Sequence, residues 1–80
     1  MIIKLTRPAD LQALYLRAVK DAQAHNITWE GDMHQGQGAH RGFEARYEVT
    51  ADEIIIAIIK KPLLISHARI RQEVQAYITT

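Results

Sequence analysis

Asp32, His34 and His40 bring a carboxylate and two imidazoles into one short stretch, a donor set that zinc accepts. Their spacing matches no compact helical or knuckle pattern. Gly36 and Gly38 lie between the histidines, and ordering so loose a stretch around a metal costs entropy. No metal site is therefore expected. Two carboxylate pairs come next, Glu30 with Asp32 and Glu44 with Glu48. Paired carboxylates do acid–base work when burial separates their pKa values. On alternate positions of a strand they more commonly form a wetted face. Ser66 and His67 are neighbours on a helical segment, so their side chains diverge. Gly36-Gln37-Gly38 resembles a fragment of a phosphate loop, but no helix start follows it. The chain has no cysteine, which removes thiol catalysis, thiolate metal sites and disulfides. The expectation is a protein that is not an enzyme, with no catalytic residue and no cofactor.

Basic residues offer a different chemistry. Lys60, Lys61, Arg69 and Arg71 could cluster near the start of the last helix and meet phosphates. Four charges give weak, salt-sensitive binding. Trp29 and Tyr47 are candidates for stacking on bases, but their strand register turns them toward the core. A small nucleic-acid-associated regulator is the alternative reading of the chain.

These residues must be positioned by a small set of elements. Ile3 and Leu5 against Lys4 and Thr6 predict a short strand over 2–6. Pro8 marks a helix start and Asp10 sits in its first turn. Leu11, Leu14, Tyr15, Ala18, Val19 and Ala22 form an apolar stripe at helical spacing, ending near His25-Asn26. Ile27, Trp29 and Met33 alternate with polar residues, a second strand with Gly31 as a possible bulge. The run from His34 to His40 has two glycines and no apolar anchor, so it reads as a flexible hairpin loop. Phe43, Ala45, Tyr47 and Val49 alternate with charged residues in a third strand. After the turn 50–53 comes a fourth strand over 53–60, closed by Lys61-Pro62. A second helix follows over roughly 64–78, with Ile70, Val74, Tyr77 and Ile78 as its stripe. The order is β-α-β-β-β-α. The expected fold is α+β, a four-stranded antiparallel sheet with both helices on one face, and residues 1–80 form one domain.

The fourth strand breaks the alternation. Ile54, Ile56 and Ile58 can fill one face, and Ile55, Ala57 and Ile59 then occupy the other. Leu63, Leu64 and Ile65 prolong the run past the proline. With helices on one face only, one isoleucine set faces outward, and exposed strips of this kind mark contacts. Ile55, Ile59, Leu63 and Leu64 are the candidate partner-binding residues. Burial in a homodimer, burial under a separate hydrophobic partner, and internal burial remain open.

The whole-chain numbers set bounds. Eighty residues of which 48% are apolar supply one modest core. The formal charge of +1 steers the chain toward neither nucleic acid nor membrane. The charge is uneven: from Asp21 to Glu53 seven acids face Arg41 and Arg46, and from Ile54 onward four basic residues face Glu73. No run is long enough to span a bilayer, and no signal peptide is read at Met1-Ile2-Ile3-Lys4-Leu5. With cysteine absent, a cytoplasmic location is expected.

From Ile27 onward the chain resembles the polyhydroxyalkanoic acid system protein family of polyester-granule gene regions. The resemblance rests on Trp29-Glu30-Gly31-Asp32 and on the strand Gly42-Phe43-Glu44-Ala45-Arg46-Tyr47-Glu48-Val49. It continues through Asp52, the apolar strand, Leu63-Leu64 and a last helix with Ile70 and Val74 on its buried side. The preceding helix looks like the family's alanine-rich first helix. The chain departs from the pattern after Met33, where His34-Gln35 and the glycine run replace alternating apolar residues, and at the basic Lys60-Lys61-Pro62 corner. The resemblance implies a non-catalytic accessory role at polyhydroxyalkanoate storage granules, through a granule protein or the polymer surface. It carries over no catalytic residue.

Overall fold

A computed structural model of the chain describes residues 1–79. Among these the order is β1 (Ile2–Thr6), α1 (Leu11–Ala24), β2 (Thr28–Gly31), β3 (Gln35–His40), β4 (Phe43–Val49), β5 (Glu53–Lys60) and α2 (His67–Thr79). The strands form one antiparallel sheet in the order β1-β5-β4-β3-β2. The fold is α+β as expected, but the sheet has five strands and the order is β-α-β-β-β-β-α. The segment expected to be a loop is β3.

The hairpins on either side of β3 explain how a glycine- and glutamine-rich run becomes a strand. At its start, the Asp32 carboxylate accepts from the backbone N–H of His34 (2.7 Å) and Gln35 (3.0 Å), and the Asp32 N–H donates to the Gln35 carbonyl. An Asx turn thus reverses the chain through residues 32–34. At its end, His40 pairs with Phe43 across Arg41 and Gly42, whose φ values are +48° and +85°. Two positive φ values in a two-residue connection make a turn of the I′ kind, whose twist matches that of paired strands. Between these turns β3 is held by ladders on both sides.

Thr50 closes the next hairpin. Its hydroxyl accepts from the Glu53 N–H at 3.0 Å, and its own N–H donates to the Glu53 carbonyl. Helix α1 begins at Leu11, with Asp10 as its cap accepting from the Ala13 N–H at 3.0 Å. Asp10 therefore caps the helix from outside rather than sitting in its first turn, and Pro8 lies before the cap. The helix ends as expected: His25 is the C-cap and Asn26 takes φ +55°. Helix α2 starts three residues later than the periodicity suggested, because Ser66 caps it by accepting from the Arg69 N–H.

Both helices lie over the same face of the sheet and clasp each other. The Arg17 side chain donates to the Tyr77 carbonyl and its guanidinium lies 4.6 Å from the Tyr77 ring centre. The Tyr77 hydroxyl donates to Asp21. The buried apolar residues are Ile3, which is fully enclosed, with Leu11, Ala22, Ile54 and Ile70, so the closest packing lies against β1 and β5.

Candidate functional site

The register decides which isoleucines face out. Ile3 and Ile56 are partners, as are Leu5 and Ile54, and Ile3 is completely buried under the helices. Ile54, Ile56 and Ile58 therefore point inward and Ile55 and Ala57 outward, while Ile59 falls at a register shift where Ala45 pairs with Ile58 and Glu44 with Lys60. Ile2, opposite Ala57, joins this outer strip. Ile2 is 53% exposed and Ile59 50%, while Ile55 is half-buried between Lys4 on one side and Glu48 on the other. Arg46 flanks Ala57. Leu63 and Leu64 sit in the turn before α2 and are 96% and 100% exposed. Sequence reasoning missed Ile2, because its strand partner across fifty residues cannot be read from local alternation.

The other candidates come apart. His34 and His40 lie at opposite ends of β3, about 20 Å apart at the rise of an extended strand. Among the described residues, no group of three His, Cys, Asp or Glu side chains is placed to hold a metal ion. Asp32 does not share a face with Glu30. It lies beyond the end of β2, and its carboxyl is held below its ordinary value of 3.8 by the His34 and Gln35 N–H groups. Glu44 and Glu48 are exposed on the outer face. The basic corner is also dispersed. Lys61 turns back so that its ammonium donates to the carbonyls of Ile65 (2.7 Å) and Pro62. Arg69 and Arg71 are two apart on α2 and so point in different directions.

The inner face holds a feature that the sequence reading did not propose. Between the sheet and the two helices lies an open cleft of about 580 Å³ with almost wholly apolar walls. Leu14, Tyr15 and Ala18 of α1 and Val74, Tyr77 and Ile78 of α2 roof it, and Trp29, Ala45, Tyr47 and Ile56 are on its floor. The chain has one tryptophan, three tyrosines and one phenylalanine, and all of them line this cleft. Tyr15 and Trp29 meet edge to face at 5.7 Å, and Trp29 and Tyr47 do so at 5.9 Å. Trp29 Nε1–H donates to the Tyr47 oxygen at 3.1 Å, and the Tyr47 hydroxyl donates to the Asp32 carbonyl. Burial raises the Tyr47 phenol above its ordinary value of 10.0, and burial followed by the Asp21 carboxylate does the same for Tyr77.

The floor is hollow because small residues occupy its middle. Trp29, Gly38 and Ala45 are successive partners across β2, β3 and β4, and Gly36 lies between Gly31 and Tyr47. The Tyr47 ring lies across Gly36, where an added Cβ would come within 2.5 Å of the hydroxyl. No family model, curated protein or solved structure matches the chain.

Proposed function

We propose that the protein is a non-catalytic accessory protein that associates through the outer strip of Ile2, Ile55, Ala57 and Ile59, with a second copy of the chain as its partner. The observation that carries this reading is the exposure of that strip on the face opposite both helices. Apolar surface rimmed by charge is the usual form of an association site. The rim favours a second copy. Lys4 and Arg46 line the strip together with Glu44 and Glu48, so a two-fold arrangement sets acids of one copy against bases of the other. The Leu63-Leu64 corner supplies a further apolar contact. The resemblance carried by Trp29-Glu30-Gly31-Asp32 supports a polyester-granule protein or polymer surface for that corner. The non-catalytic reading draws support from side chains already engaged: Ser66 as a helix cap and the Asp32 carboxylate within a turn.

The test is the double variant Ile55→Thr, Ile59→Thr. Threonine keeps the branched shape that strands favour while removing apolar surface. The expected result is a circular dichroism spectrum like the parent's, with loss of concentration-dependent mass in light scattering. A parent that stays monomeric at high concentration, or a variant with unchanged mass and unchanged co-purifying partners, overturns the reading.

A further inference from the structure

We propose that the cleft between the sheet and the helices is a binding site for the aliphatic chain of a small amphiphile. Its size suits such a guest, since 580 Å³ falls within the roughly 300–1,000 Å³ of small-molecule sites. Its chemistry narrows the class. Three of the four polar groups on its aromatic walls are already spoken for, Trp29 Nε1–H by Tyr47, the Tyr47 hydroxyl by Asp32 and the Tyr77 hydroxyl by Asp21, which leaves the Tyr15 hydroxyl. A sugar or nucleotide carries many more donors and acceptors than these walls can match, and leaving them unpaired is costly. A hydrocarbon needs no such partners and gains by displacing water from apolar walls. The ring geometry then favours a chain over a flat ring system. Trp29 meets Tyr15 at an interplanar angle of 80° and Tyr47 at 88°, so neither of these rings lies parallel to the indole to sandwich a planar guest against it.

Gly38 indicates that the hollow is built into the sheet rather than forced by the backbone. At Gly36 a side chain would collide with Tyr47. At Gly38 an added Cβ would meet only the Thr28 carbonyl, at 3.4 Å, and the backbone is not in a conformation reserved for glycine. Strands disfavour glycine. What glycine achieves at this position, beside Ala45, is open volume under the helices.

Trp29 is the chain's single tryptophan, so its emission reports occupancy directly. The protein would be titrated with dodecanoate and, separately, with dodecanol, each below the concentration at which it aggregates. Both are expected to give a saturable change in Trp29 emission at one guest per chain, with stoichiometry checked by calorimetry. Gly38→Leu, which places a side chain in the hollow, is expected to weaken binding of both at least tenfold while melting no lower than the parent. Ala45→Leu fills the same space from the neighbouring strand and serves if Gly38→Leu does not fold. No saturable change with either probe, or equal affinity in a folded filled variant, overturns the proposal. Binding of dodecanoate without dodecanol also overturns it, because recognition would then lie in the carboxylate.

Discussion

At the scale of single residues, two glycines on one strand face do different things. Gly36 is demanded by its neighbour: the Tyr47 ring occupies the space that a Cβ would need. Gly36→Ala forces that ring or the strand to shift, and should cost about 1–3 kcal/mol. Gly38→Ala meets no such obstacle and lowers the entropy of the unfolded chain, so it should stabilise by about 0.4–1 kcal/mol. Thermal or urea melts of the two variants check the pair. Equal effects would mean that Tyr47 does not lie where the structure puts it.

At the scale of elements, the hairpin through Arg41-Gly42 carries a local conflict. Both residues take positive φ, which glycine tolerates and arginine does not. Arg41→Asn puts a residue at ease in that conformation into the same turn, and should stabilise the protein by about 1 kcal/mol without changing the sheet. A melt that moves down instead would show that Arg41 contributes a contact outweighing its backbone cost. The same hairpin shows what was legible in the sequence and what was not. β1, β4, β5 and α1 announce themselves because large apolar residues repeat at strand or helix spacing. That β5 carries apolar residues on both faces was readable for the same reason, whereas which set faces outward depends on its register with β1. β3 is silent because its inner face carries Gly36, Gly38 and His40, and a period cannot be seen in side chains that are absent. Its strand character comes from Asp32 and Gly42 at its ends and from the ladders beside it. The cleft was illegible on the same account, since a hollow is recorded in sequence only as smallness at positions whose alignment depends on register.

At the scale of the whole molecule, stability should fall on both sides of neutrality. The folded state holds Asp32 below its ordinary pKa of 3.8, so it favours the carboxylate. That contribution is present above pH 3.8 and is lost as pH falls through the lower folded value. The folded state raises Tyr47 and Tyr77 above 10.0, so it favours the neutral phenols. Their contribution is complete below pH 10 and is lost as pH rises through the folded values. Melting temperature against pH should therefore show an acid limb that Asp32→Asn flattens and an alkaline limb that Tyr47→Phe shallows. Asparagine still offers an oxygen to the His34 and Gln35 N–H groups, so the first effect is one of charge and not of a missing acceptor.

The strand order also bears on how the chain assembles as it is made. β2 to β5 are joined by short connections and can zip together in sequence, each onto the one before. β1 pairs only with β5, so Ile2 to Leu5 leave the ribosome long before their neighbour exists. β1 is thus made well before the strand it pairs with and can dock only after β5 emerges, so Ile2 and Ile3 stay unpaired on the chain until then.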